Sequence, residues 1–441
     1  MATIPQISTA MQKLLGPKAD ELGIITGFTR RKRKLTGSSF TQTMVFSGMT
    51  VPELTYTQLC LGAMNAGIAI SAQGLEQRFT PAAVRLLHKV LEATVSTVVS
   101  GVPADLELLS RFKGMYIRDS SVISLPKELS EVWSGVGNSN GETASIKLQV
   151  RLDYQSGQLA GPFLQAGRAH DTASPYHTEI LPVGAIRMGD LGYFDLEQFG
   201  RDDQQGAYWL TRYKAHTVLC TQSGERLSLL DVLQSASQAT WEMLVWVGEH
   251  RRLVARLLVQ RVPQEVADQR RRKLKDYARK KQVAVSPETL ALADWTLLLT
   301  NIPTERLSIR EALTLVRIRW QIELLFRLWK SVFLIDTWRS HNPYRILTEL
   351  FAKLIAVVII HWTFLTEFWH YPDRSLWKAA TIVQSLAPCL ALSFHDLQAF
   401  QTTLYHIQHC FRQCCHMNIR RSSPHTYQLL LALEDACDVQ N

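Results

Sequence analysis

The 441-residue chain contains no internal repeat and no long low-complexity tract, which excludes a repeat-built architecture. Long apolar runs are scarce. The longest, LIAVVII from Leu354 to Ile360, extends to Leu365 only by admitting His361, Trp362 and Thr363. That is short of the ~20 residues a bilayer crossing needs. The first residues, MATIPQISTAMQKLLGPKAD, lack the apolar core of a secretory signal, so a cytoplasmic protein without a membrane partner is expected. The seven cysteines are odd in number and irregularly placed, which fits a reducing compartment better than a disulfide framework. Paired CxxC knuckles are missing too. The cluster His406, His409, Cys410, Cys414, Cys415 and His416 therefore reads as a core or dimer contact before it reads as a zinc site. Acid is in deficit, with 39 Asp and Glu against 48 Lys and Arg, a formal charge of +9 and a pI near 9.2.

A basic surplus favours a polyanionic partner, and here it is clustered. Residues 30–34 read RRKRK, and residues 270–281 read RRRKLKDYARKK, with eight cations against one acid. Both runs are expected to touch a nucleic-acid backbone, through Arg30, Arg31, Lys32, Arg33 and Lys34 in the first and Arg271, Arg272 and Lys273 in the second.

The apolar fraction of 46% supports a sizeable core, and the patterning divides it. Residues 1–105 read as a helical DNA-binding domain. Within it, 57–79 suggests two short helices turning at Gly67 with Ser71 as a cap, in the manner of a helix-turn-helix. From about 110 the period shortens. FKGMYIRD (112–119) predicts a strand ending at Asp119, and in SIKLQVRLDY (145–154) Ile146, Leu148, Val150 and Leu152 alternate as in a half-buried strand. GQLAGPFLQ (157–165) is its expected hairpin partner. A short helix near 173–182, a strand ending at Asp190 and a strand at 207–214 follow. Residues 216–301 read as a β-strand insertion, with strands at 241–248, 251–262 and 294–301 around a basic helix at 263–282. The whole of 106–345 is thus an α/β layer, a mixed sheet with flanking helices interrupted by that insertion, and 346–441 is helical.

Three acids stand out within the layer. In VRIRWQIELLFRLWK (316–330), Arg319, Glu323 and Lys330 lie at helical offsets of four and seven. They fall within a roughly 40° wedge, which sets one carboxylate between two cations. Ile318, Leu324, Leu325 and Leu328 form the apolar face. Asp119 and Asp190 each close a predicted strand. Carboxylates at the ends of adjacent strands can converge, and with Glu323 they would offer oxygen ligands suited to Mg²⁺ or Mn²⁺. Two such ions support in-line phosphoryl displacement.

IRDSSVISL around Asp119, GDLGYF (189–194), WTLLLTNIP (295–303) and RIRWQIELLFRLWKS (317–331) together resemble the DDE transposases of bacterial insertion sequences. The nearest likeness is to the insertion-sequence-four type that includes the Tn-five transposase. The resemblance covers roughly 110–340, and its last motif, Tyr-x2-Arg-x3-Glu-x6-Lys, is matched in register by Arg319, Glu323 and Lys330. It implies an RNase H-like catalytic core with Asp119, Asp190 and Glu323 as the catalytic, metal-binding triad, carrying Mg²⁺ or Mn²⁺ as two ions. Arg319 and Lys330 would bind a DNA phosphate, and Trp295 would stack on a displaced base. The partners it implies are double-stranded DNA, as terminal inverted repeats and target, and a second copy of the chain in a homodimer. The setting would be the bacterial cytoplasm, at the nucleoid. The chain departs from the motif at Val316, where the family carries tyrosine, so one phosphate hydrogen bond is missing or supplied elsewhere.

The resulting expectation is a transposase for DNA transposition and recombination, cutting transposon ends and joining them to target. A metal-dependent nuclease of the same fold that does not transpose, and a silent DNA-binding regulator, are the alternatives.

Overall fold

Among the described residues, apolar alternation and short apolar runs give nine strands: β1 (Met115–Leu125), β2 (Ala144–Asp153), β3 (Leu159–Ala166), β4 (Ile186–Gly189), β5 (Tyr208–Arg212), β6 (Leu219–Cys220), β7 (Thr240–Val247), β8 (Leu253–Arg261) and β9 (Trp295–Thr300). They form one mixed sheet in the order β3-β2-β1-β4-β5-β9-β8-β7-β6. The computed structural model describes residues 2–31, 34–50, 54–137, 143–250, 252–422 and 424–438. Contacts divide the chain into two compact units, 1–106 with 119–170 and 321–428, and 107–118 with 171–320 and 429–441.

The first unit is built on the helix Pro343–Phe364, which starts where Asn342 accepts hydrogen bonds from the amides of Tyr344 and Arg345. At 22 residues it is long and apolar enough to cross a membrane, longer than the seven-residue apolar run suggested. Every residue from Arg345 to Phe364 is buried, because Gly37–Thr50 and Pro81–Val95 pack against it. An all-round apolar helix belongs in such a position. Its charged members are paired inside the unit, as where Arg345 Nε donates to Glu349 at 2.6 Å. The helix ends at Phe364, and a 3-10 turn follows at Phe368–His370.

The expected pair of short helices is present in this unit as Tyr56–Asn65 and Ala72–Glu76, with Ser71 capping the second and Gly67 at φ 77° between them. The second helix has only five residues, too short to lie along a groove as a recognition helix does. Strands β2 and β3 form the predicted antiparallel hairpin, from Ile146 opposite Ala166 to Leu152 opposite Leu159. The polar face of β2 is buried as well as the apolar one. Gln149 is satisfied there by Gln165 across the pair, at 3.2 Å.

In the second unit β4 and β5 run parallel, and β5 then pairs antiparallel with β9. The strands of the 216–301 insertion make no separate layer. They continue outward from β9 as β8, β7 and β6. Phe199, Trp209, Val245, Val247, Leu257 and Leu299 belong to the core beneath them. The helix expected at 173–182 is absent apart from a 3-10 turn at Asp171–Ala173. Pro175 and Pro182 interrupt the segment. Arginines also take the carbonyls that a helix would use: Arg118 bonds to Tyr176 and His177, and Arg187 to Glu179.

Candidate active site

Strands β1 and β4 run parallel in register from Met115 opposite Ile186 to Arg118 opposite Gly189. The next residue along the first strand is Asp119 and the next along the second is Asp190. Asp119 is half-buried, and its Oδ1 accepts from the Ser120 amide at 2.8 Å. Asp190 is exposed and opens the 3-10 turn Leu191–Tyr193, where its carbonyl accepts from the Tyr193 amide at 2.9 Å.

Beneath these strand ends lies an ionic platform that sequence reasoning missed. Arg118 is 2% exposed and donates from Nη1 to the His177 carbonyl at 2.9 Å. The same nitrogen lies 3.2 Å from His177 Nδ1. An arginine can only donate, so Nδ1 accepts and the ring proton sits on Nε2. From there it donates to Asp195 at 2.8 Å. Burial, then the charge of Arg187, pull Arg118 down to about 9, which leaves it protonated at neutral pH. Burial also lowers His177. Arg187 in turn grips Asp202 through Nε and Nη2, with both side chains almost fully buried. The Arg118 guanidinium covers the Tyr193 ring at 5.1 Å, and so touches the turn that follows Asp190. The visible signal was an arginine within each apolar strand, in YIRD and AIRMGD.

Glu323 lies in the first turn of the helix Trp320–Ser331, half-buried. The expected continuous helix over 316–330 is interrupted at Arg319, which caps Ile309–Ile318. Arg319 is buried, at 7% exposure, while its neighbour Arg317 is exposed. Ile318, Leu325 and Leu328 form the buried side as expected. Lys330 Nζ donates to the Val122 carbonyl at 2.8 Å, which fastens the Glu323 helix to the strand that carries Asp119.

The second unit also holds a cleft of about 1330 Å³ whose lining includes Trp295, Arg212, Arg270, Lys273, Arg310 and Arg317. No carboxylate lines it among the described residues, and Val316 is at its wall. Trp295 opens β9 half-buried, with the Arg261 guanidinium 5.6 Å from its ring centre. Arg270 is tied to the Trp295 carbonyl at 2.8 Å and to Thr296 at 3.0 Å. Of the predicted contacts on the basic helix Gln264–Lys281, Arg271 is engaged by Asp268 and Asp294, whereas Arg272 and Lys273 are exposed. In the other basic run Arg30, Arg31 and Lys34 are exposed, and Lys32 and Arg33 lie outside the described residues.

The Transposase DDE domain family matches residues 111–359, more than half of the chain and the whole of this constellation. The chain belongs to that family. This transposase is 27% identical over 434 residues to the transposase for insertion sequence element IS231F of Bacillus thuringiensis subsp. israelensis, covering 91% of this chain and 90% of the relative. It is 28% identical over 363 residues to that of IS231C from subsp. berliner, covering 77% and 75%. It is 23% identical over 357 residues to that of IS1151 from Clostridium perfringens, covering 75% and 74%.

Members of the family depend on divalent metal. Asp119, Asp190 and Glu323 each carry carboxylate oxygens of the kind hard cations take. Among the described residues no three His, Cys, Asp or Glu side chains are grouped to hold a metal ion. The C-terminal His/Cys helix is no exception. There His416 pairs with Asp373 at 2.6 Å, and burial pushes the Cys415 thiol up to about 12.

Proposed function

We propose that Asp119, Asp190 and Glu323 are the catalytic carboxylates with which this transposase cleaves DNA at the terminal inverted repeats of an insertion sequence and transfers the freed strand to a target. The observation that carries the assignment is the β1–β4 register. Parallel pairing runs to Arg118 and Gly189, and each chain continues with an aspartate. An RNase H-like core of the insertion-sequence-four type is the fold reading that accords with it.

Magnesium or manganese, as two ions, would supply charge stabilisation at the scissile phosphate and a more acidic attacking water or hydroxyl. The protein's own contribution is placement. The Arg118–His177–Asp195 platform fixes the strand end before Asp119 and the turn after Asp190, and the Lys330–Val122 bond fixes the helix bearing Glu323. Lys330 keeps two further N–H groups that can meet a DNA phosphate while it holds this carbonyl. Arg319 is the second phosphate ligand. The basic cleft supports a DNA path, with Trp295 as a stacking surface and Lys273 and Arg272 on the approach. A homodimer that pairs two ends completes the reading.

A supercoiled donor plasmid with Mg²⁺ tests it. Excision followed by joining is expected from the wild type, and neither from Glu323→Gln, which should still shift end DNA. If Glu323→Gln cuts normally, the active-site assignment fails. Cutting without joining by the wild type would leave a nuclease.

A further inference from the structure

We propose that a second phosphate-binding site lies within the first unit, in a pocket walled by Arg30, Arg31, Arg78 and Arg85, and that its ligand is the phosphodiester backbone of duplex DNA. The proposal rests on the DNA reading above and concerns residues outside the 111–359 family match.

The pocket has a volume of about 750 Å³. Its lining brings together the loop at Gly27, Phe28, Arg30 and Arg31, the segment Gln77–Arg78, and the start of the helix Pro81–Val95 at Thr80, Pro81 and Ala82, with Arg85 one turn on. No acidic residue lines it among the described residues. Arg30 and Arg31 are exposed beside Arg85, and guanidinium groups gathered round a concavity whose lining carries no acid attract an outside anion.

The way these arginines are held argues for a built site. Gly27 adopts φ 74°, a left-handed turn that a side chain would strain, and this bends the chain back before Arg30. Arg78 lies over the Phe28 ring at 4.3 Å and donates to the Phe28 carbonyl at 3.3 Å. Arg85 donates to the Thr26 carbonyl at 3.1 Å. Phe28 is itself locked against Phe40, with ring centres 4.7 Å apart. Two arginines thus pin the loop that presents the other two. The N-terminal end of the fifteen-residue helix Pro81–Val95 adds its partial positive charge to the same space. A pocket of this size exceeds one phosphate and suits a short run of backbone. It has cations and no array of base-reading amides, so it grips any sequence equally.

The test is a salt titration of duplex binding by the full chain. Each phosphate contact contributes about 0.9 to the slope of log K against log salt concentration on B-form DNA. Arg30→Gln with Arg85→Gln should lower that slope by about 2 and weaken binding about tenfold to a hundredfold at ~0.1 M salt. The loss should be equal on terminal-repeat and unrelated duplexes. Arg30→Gln with Arg31→Gln, which removes only exposed side chains, guards against a folding defect at Arg85. An unchanged slope in both pairs overturns the proposal, as does a loss confined to the terminal-repeat duplex. Inorganic phosphate or a nucleoside triphosphate serves as a further probe: if it stabilises wild type but not the variants, while their duplex binding matches wild type, the ligand is a small phosphate and the DNA assignment is overturned. A wild type that binds no duplex sinks the DNA reading itself, a result separate from these.

Discussion

Lys330 donates its ammonium to the carbonyl of Val122 at 2.8 Å, three residues beyond Asp119 on the same strand. One end of the Glu323 helix is therefore referenced to the strand bearing another acid of the proposed triad. Lys330→Met should loosen this placement and remove a phosphate contact together. It is expected to slow cleavage about tenfold to a hundredfold, with the larger share in kcat. Single-turnover kinetics on pre-cut and uncut ends would read it, and an unaltered rate would deny the lysine both roles.

Asp119→Asn and Asp190→Asn each keep size and remove charge. Loss of cleavage by at least about 10²–10³-fold is expected for either, with end-DNA affinity close to wild type. Gel shift beside a cleavage assay separates the two quantities. Activity retained in Asp190→Asn would mean the parallel register points to the wrong carboxylate.

Val316 sits on the wall of the basic cleft where the resembling motif has tyrosine. Val316→Tyr should restore a hydrogen bond to a charged group and raise the cleavage rate about tenfold or more. Equal rates for the two proteins would show that valine costs nothing there.

His361 is fully buried, and its Nε2 lies 2.7 Å from the Gly157 carbonyl. Burial pulls it from 6.5 down to about 4, against the hydrogen bond and with help from Arg374. The unfolded chain therefore binds a proton that the folded chain refuses between those values. Stability is full above pH 6.5 and falls as pH drops toward 4, by about 3 kcal/mol across the window. Urea unfolding of His361→Leu should lack that slope, although other groups will add their own. A wild-type and a variant curve of the same shape would count against it.

The Arg187–Asp202 pair is bidentate and almost fully buried. Asp202→Ala strands a buried guanidinium and should destabilise the fold by about 3–5 kcal/mol, read as a lower urea midpoint. A change under about 1 kcal/mol would show that water or another group takes up the charge.

Much of this was legible in the chain. Alternation at Ile146, Leu148, Val150 and Leu152 located β2, because apolar residues at every second position share one face of a pleated strand and scatter round a helix. It did not reveal that Lys147, Gln149 and Arg151 are buried as well, since burial of a polar face depends on what the rest of the chain lays over it. The helical period through 316–330 was right in type. The interruption at Arg319 left no mark, for no proline or glycine stands there. The ionic platform left only a faint mark, an arginine within each of two apolar strands. Its members, Arg118, His177, Arg187, Asp195 and Asp202, are dispersed along 85 residues and meet only through strand pairing.

The pairing of β5 with β9 has a consequence for how the protein comes to be made. Arg212 lies opposite Leu298, so the central strand of the second unit waits for a partner 86 residues later. Three other strands must be accommodated in the meantime. Closing so long a loop is slow, and until it closes β5 presents an open edge. During synthesis the ribosome must finish β9 before that edge is sealed, so a nascent chain halted within 216–294 is the species most exposed to aggregation. A premature stop there would yield an insoluble fragment in place of a smaller working enzyme.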